Sequence, residues 1–217
     1  MFILSFLFFL TALLYSSVGF GGGSSYLALL LIWGTPYQVF PVIALCCNII
    51  VVSGNCFNFV REGDTNFKLV SPYLISSIPL AFIGGSLEIE QNTFEILLFI
   101  TLSIAGFFLL IKFKSFDNKD EIYRKIPNII SILIGGTIGF VSGIVGIGGG
   151  IFLSPILLLI RVSKAKHIAA TASIFILINS IAGIAGQITK DSILSEIYNY
   201  WPLFLLVFIG GQLGNFL

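Results

Sequence analysis

Two apolar stretches, residues 2–33 and 128–160, are each too long for a single membrane crossing, and each is interrupted by glycines at a matching place. The interruptions are Val18-Gly19-Phe20-Gly21-Gly22-Gly23 and Val145-Gly146-Ile147-Gly148-Gly149-Gly150, 127 positions apart. An unbroken helix over 2–33 would extend about 48 Å, against a hydrocarbon core about 30 Å thick. The glycines must break it. The piece after the break, 24–33, reaches only about 15 Å and cannot cross alone. Each stretch is therefore one kinked crossing or a hairpin that dips into the membrane and returns to its own side.

The rest of the chain is built for the same solvent. Its residues are 57% hydrophobic and only 10% charged, where soluble domains carry about 25% charged residues. Further apolar runs cover 39–60, 69–87, 94–111, 168–188 and 199–217, giving seven regions with the two long ones. All eleven Lys and Arg fall between these regions, as insertion into a bilayer requires. A net charge of +1 offers no basic field for nucleic acid. Cys46, Cys47 and Cys56 lie in one apolar run without metal-ligating neighbours and read as packing residues. Residues 1–17 lack the basic n-region of a signal peptide and recur in pattern at 129–145, so they read as a structural segment. No cofactor or metal is implied.

The glycine runs belong to a longer duplication. At a shift of 127, residues 18–35 and 145–162 agree at seven of eighteen positions, Leu30/Leu157 among them, and Ser53 falls opposite Ser180. Gly84-Gly85 matches Gly210-Gly211 at a shift of 126. The predicted organisation is a first membrane repeat over 1–111, a charged cytoplasmic linker over 112–127 and a second repeat over 128–217. The second copy stops short of a counterpart to 94–111, so its last helix is expected to be missing and the chain to be a fragment.

Charge decides between kinked crossings and hairpins. Two single crossings would split the basic residues eight against three; two hairpins split them ten against one, with only Lys190 outside. The positive-inside rule favours the hairpins. Each repeat then makes an odd number of crossings, which places the second copy upside down relative to the first. The expected fold is an all-α polytopic membrane protein of two inverted repeats, each a glycine-broken hairpin plus transmembrane helices.

Hairpins entering from opposite faces bring their tips together near the midplane. Glycine permits positive φ and close approach at such tips. A half-helix follows each one, opening at Ser24-Ser25 in the first copy and at Ile151 in the second. Its first N–H groups lack intrahelical acceptors and carry the positive end of the helix dipole, which makes an anion site without a charged side chain. The tip glycines Gly19, Gly21, Gly22, Gly23, Gly146, Gly148, Gly149 and Gly150, with Ser24 and Ser25, are the candidate substrate-binding residues. The next helix of each repeat adds polar groups on one face, seven apart: Asn48 and Asn55, then Ser173, Ser180 and Gln187. Asn48, Asn55, Ser173, Ser180 and the neighbouring Asn179 are candidate supporting residues, since polar side chains in hydrocarbon need partners or a cavity.

Other readings make different demands on the same residues. Glycines that only allow tight helix packing would also fit, but the two runs stand in register and each splits an overlong segment. A dinucleotide site needs a preceding strand and a following acid, and neither is present. An intramembrane serine protease would pair Ser142 with His167, the one histidine, which the topology sets at different depths. An anion channel or a non-transporting scaffold remains as an alternative to a carrier. His167, beside Lys164 and Lys166, and Glu88, Glu90 and Glu95 read as interfacial or solvated groups.

The runs GFGGGSSYLALLL and GIVGIGGGIFLSPILLL, the TAS at 171–173 and the GGQLG at 210–214 together resemble the sulfite exporter TauE/SafE family. The resemblance covers essentially the whole chain. It implies a prokaryotic inner-membrane transporter of sulfite, organosulfonates or related small anions, with the lipid bilayer and the small anion as its partners. The family's motif glycines fall on the tip glycines named above, and its proline after the second run on Pro155. Ala44-Leu45-Cys46 stands opposite TAS in the first copy, so no symmetric hydroxyl pair is expected. An anion held at the tips while one repeat rocks against the other is the expected mechanism.

Overall fold

A computed structural model describes residues 1–110, 123–124, 126–190 and 197–216. Of the linker expected at 112–127, residues 112–122 and 125 lie outside the described residues. Among the described residues all regular structure is helical. The first broken stretch forms α1 (Phe2–Ser17) and α2 (Gly23–Ile32), and a 3-10 turn at Tyr37–Val39 leads into α3 (Phe40–Glu62). Two long helices follow, α4 (Phe67–Ser86) and α5 (Gln91–Leu110). The second broken stretch forms α6 (Asn128–Val145) and α7 (Gly150–Ile160), followed by α8 (Ala165–Gln187) and α9 (Trp201–Asn215). Five of these segments are long and apolar enough to cross a membrane: Tyr37–Glu62, Phe67–Ser86, Gln91–Phe108, Asn128–Val145 and Ala165–Gln187.

Local sequence sets the boundaries. Proline at the first turn of α3 and α9 costs no hydrogen bond there, because those N–H groups have no intrahelical acceptor. Asn66 caps α4 by accepting from the Leu69 N–H at 3.2 Å. Gly63, at φ 76°, ends α3 in the left-handed conformation that glycine adopts without steric penalty.

Packing is close because small residues meet backbone. Gly135, Gly139 and Gly143 of α6 lie in succession against the main chain of Tyr73, Ser77 and Ala81 in α4. A methyl on Gly139 would stand 2.6 Å from both the Cα and the carbonyl oxygen of Ser77. In lipid, where water gives helices no reason to associate, such contacts and interhelical hydrogen bonds carry the association. Ser76 Oγ donates to the Ile132 carbonyl at 2.6 Å across the same pair. On the other side of the bundle Gly210 and Gly214 of α9 lie against Phe9 and Leu13 of α1, and Ser16 Oγ donates to the Gly211 carbonyl at 2.6 Å.

These contacts fix directions. The α4/α6 and α1/α9 pairs run parallel, since contacts advance together along both helices. Helices α3 and α8 run antiparallel: Leu45 meets Gly183 at one end, and Glu62 pairs with Lys166 at the other. At that second end Lys166 Nζ lies 2.8 Å from Glu62 and 2.7 Å from Asp64, while His167 Nε2 lies 3.9 Å from Asp64. The hydrogen bond from Lys166 holds the Asp64 carboxyl below its usual value. Arg61, Lys164 and Lys166 gather at this end, whereas Glu88 and Lys190 mark the opposite one.

Candidate functional site

Both half-helices start on a glycine in the left-handed conformation. Gly22 (φ 82°) caps α2 and Gly149 (φ 81°) caps α7. Gly19, Gly146 and Gly148 also have positive φ, at 85°, 91° and 83°. These signs let the chain reverse within five residues in the first stretch and four in the second, so α2 folds back along α1. Phe8 stacks on Tyr26 with ring centroids 4.7 Å apart, and Ser25 Oγ donates to the Tyr15 hydroxyl at 3.0 Å. Hydrogen bonding within α2 begins with the Ser25 and Tyr26 N–H groups donating to Gly22, and in α7 with Phe152 and Leu153 donating to Gly149. The N–H groups of Gly23 and Ser24, and of Gly150 and Ile151, precede the first helical bond and sit at the positive helix ends.

The two tips meet at Asn48. Its side chain is fully buried, and Nδ2 donates to the Ile147 carbonyl of the second tip at 3.0 Å. The same amide touches the first tip, because a methyl on Gly23 would stand 2.7 Å from Asn48 Nδ2 and 2.6 Å from the Ile147 oxygen. Gly21 abuts the Asn48 Oδ1, and a methyl on Gly148 would lie 2.7 Å from Nδ2 and 3.1 Å from Ser180 Oγ. The reciprocal contact comes from α8, where Ser173 Oγ donates to the Gly19 carbonyl and, at 3.0 Å, to Ala169 within its own helix. Thus α3 holds the second tip and α8 holds the first.

A cavity of about 230 Å³ opens beside this junction. Tyr15, Gly22 and Ser24 line one side, and Ile147, Ser154 and Ile176 the other. Its walls are mainly apolar, so the polar groups facing it act in a low-dielectric surrounding where dipoles count for more than in water. The Oγ of Ser154 and Ser180 and the Oδ1 of Asn48 are buried and have no partner among the described residues. Each such atom costs about 1–3 kcal/mol while unsatisfied, and of the three residues Ser154 lines the cavity itself.

The other expected residues are placed differently. Gly146 packs on Pro41 and so positions its tip, while a side chain on Gly150 would run into Ile176. Ser25 is bonded to Tyr15 and lies behind Ser24. Asn55 is buried with its Nδ2 unpartnered, and no hydrogen bond joins it to a tip. Asn179 Nδ2 donates to Phe175 at 2.8 Å within α8. The hairpin arms also reach past the middle of α3: Gly19 lies against Phe59, near its end, and Gly146 against Pro41, near its start. Arms of 16 and 18 residues span about 24 and 27 Å. Only the restarts at Gly23 and Gly150 return to the middle of the bundle. Sequence reasoning missed Ile147, Tyr15 and Ser154. Ile147 acts through its carbonyl, which no side-chain pattern reveals; Ser154 had a signal, a hydroxyl one turn into a half-helix.

Ser142 and His167 do not form a catalytic pair. Gly143, next to Ser142, packs against Gly183, with its Cα 3.6 Å from a methyl built there. His167 stands sixteen residues earlier on α8, about 24 Å away, where Ser163 Oγ lies 3.2 Å from its Nδ1.

An all-helical bundle of long apolar helices, built around two glycine-broken hairpins, defines a polytopic membrane protein. A family model described as "Sulfite exporter TauE/SafE" matches residues 4–217, and the chain belongs to that family. It is similar to "Probable membrane transporter protein y4hK" of Sinorhizobium fredii, at 30% identity over 95% of this chain and 83% of that protein. Likenesses of 23% to YunE of Bacillus subtilis (92% of this chain, 81% of that protein) and of 26% to MJ0441 of Methanocaldococcus jannaschii (85% and 71%) carry the same description. No solved structure matches the chain. Family and names support a membrane transporter, consistent with a non-enzymatic role.

Proposed function

We propose that the protein is a secondary transporter of a small anion such as sulfite, an organosulfonate or a related carboxylate. The observation that carries this reading is the convergence of the α2 and α7 N-termini, from two separate hairpins, on Asn48 and its adjoining cavity. Backbone N–H groups of Gly23, Ser24, Gly150 and Ile151 would bind the anion, with hydroxyls of Ser24, Ser154 and Ser180 and the Asn48 side chain around it. Asn48 and Ser173 hold the tips in register.

Residues 1–111 and 128–217 act as inverted repeats joined by the 112–127 linker. The antiparallel α3/α8 pair, with α1 packed on α9 and α4 on α6, supports that relation. The basic end of the bundle faces the cytoplasm of a prokaryotic cell, and rocking of one repeat against the other exposes the site alternately. The test is sulfite flux in proteoliposomes for the wild type and Gly149→Leu. A side chain at Gly149 meets φ 81° and would press its Cβ to 2.7 Å from Ile138 and 2.8 Å from Phe175. Saturable flux that this variant loses is the expected result. Flux that does not saturate would mean a channel, and wild-type protein that moves no anion would end the reading.

A further inference from the structure

A second cavity, of about 250 Å³, lies at the Lys190 end of the bundle. It opens between the turn before α3, the α4–α5 connection and the ends of α6 and α8. Buried Pro41, Ile144 and Gln187 form its floor, and exposed Gln38 and Glu88 stand on its rim. The floor is continuous with the second hairpin, because Ile144 is two residues from Gly146 and a methyl on Gly146 would sit 2.9 Å from the Pro41 carbonyl oxygen. Lys190 is the one cationic side chain lining the cavity among the described residues.

Lys190 is held in place. Its Nζ donates to Gln187 Oε1 at 2.9 Å, and Gln187 Nε2 donates to the Gly143 carbonyl of α6 at 3.1 Å. Gln187 is only 1% exposed, so this link is a fixed strut between the ammonium and the hairpin arm. Among the described residues one of the three ammonium donors is used, by Gln187. Burial pushes the Lys190 ammonium below its usual value, with the Glu88 charge acting the other way. A partly dehydrated cation beside a solvent-open cavity is a point of attraction for anions, and the opposing carboxylate keeps that attraction shallow. Shallow binding suits an entry point, since a ligand captured there must also leave it.

We propose that this cavity is an entry subsite for the transported anion, in which Lys190 captures it one layer above the second glycine tip. The proposal rests on the anion-transport reading. Glu88 weakens capture, and Gln187 is a positioning residue that aims Lys190.

The experiment measures sulfite flux into oriented proteoliposomes, with sulfite supplied from the Lys190 side. Lys190→Gln is expected to raise KM about fivefold at low ionic strength with turnover unchanged, a change of ~1 kcal/mol for unit charges about 4 Å apart in water-like surroundings. Glu88→Gln changes an exposed residue and is expected to lower KM. Lys190→Arg should behave as wild type, and both charge effects should shrink as salt is added. A KM indifferent to both neutralising changes overturns the subsite and leaves anion transport standing. A loss of turnover at constant KM that Lys190→Arg fails to restore makes Lys190 structural and also overturns it. If Lys190→Gln does not fold, an unchanged KM in Glu88→Gln is sufficient to overturn it. Wild-type protein that moves no sulfite removes the anion reading itself, and the subsite with it.

Discussion

Gly23→Ala tests the contact between the two tips without the strain of a positive φ. Gly23 is the first residue of α2 and is not among the glycines with positive φ, so alanine fits its backbone without strain. The added methyl, however, would stand 2.6 Å from the Ile147 carbonyl oxygen and 2.7 Å from Asn48 Nδ2. Neither can move freely, since the carbonyl is main chain and the amide is the group bonded to it at 3.0 Å. Forcing the tips apart should cost about 1–3 kcal/mol, the range for a methyl added to a well-packed site, and lengthen or break the Asn48–Ile147 bond. Gly106→Ala, at an exposed position of α5, is the matched control, with nothing within 4 Å of the new methyl. There the entropy term acts alone and favours alanine by about 0.5–1 kcal/mol. The assay is thermal unfolding in detergent together with sulfite flux. Gly23→Ala should lower Tm and raise the KM for sulfite, while Gly106→Ala should keep or raise Tm at unchanged flux. A Gly23→Ala protein as stable and active as wild type would refute the claim that the tips touch there.

Three further outcomes follow from the same geometry. Ser173→Ala removes the donor to Gly19 from a fully buried position, and should cost about 1–3 kcal/mol in unfolding measurements with a larger loss of flux than Ser53→Ala, whose hydroxyl bonds only its own helix. Gly139→Ala presses a methyl to 2.6 Å from the Ser77 main chain and should destabilise by about 1–3 kcal/mol in thermal or denaturant unfolding, whereas a Gly139→Ala protein as stable as wild type would refute the close α4/α6 contact. The Asp64 carboxyl is held low by Lys166, so its contribution to stability is full above the unfolded value of about 3.9 and is lost as pH falls through the lower folded value. Tm of the wild type should therefore fall below about pH 4 more steeply than that of Lys166→Met, and equal slopes would refute the pairing.

The helix breaks were legible because they depend on a few adjacent residues. Glycine runs inside overlong apolar stretches announced the restarts at Gly23 and Gly150, and the expected runs at 39–60, 69–87 and 94–111 lie within a few residues of α3, α4 and α5. Asn48 and Ser173 stood out as polar groups in hydrocarbon. Their seven-residue companions Asn55 and Ser180 share a helix face, but only Ser180 comes near a tip. Periodicity fixes a face and cannot say what lies opposite each turn of it.

The sequence by itself determined an all-helical membrane chain with two breaks in equivalent places, since chain length against bilayer thickness and the backbone freedom of glycine are local constraints. Tertiary structure decided which groups those breaks meet. Asn48 reaches a carbonyl 99 residues away and Ser173 one 154 residues away, the arms run past the middle of the bundle, and the cavity appears only once both tips are docked. Such pairings depend on the directions and offsets of packed helices, set by backbone contacts at Gly139, Gly183 and Gly210. A glycine in the sequence permits a close approach without naming the chain that makes it.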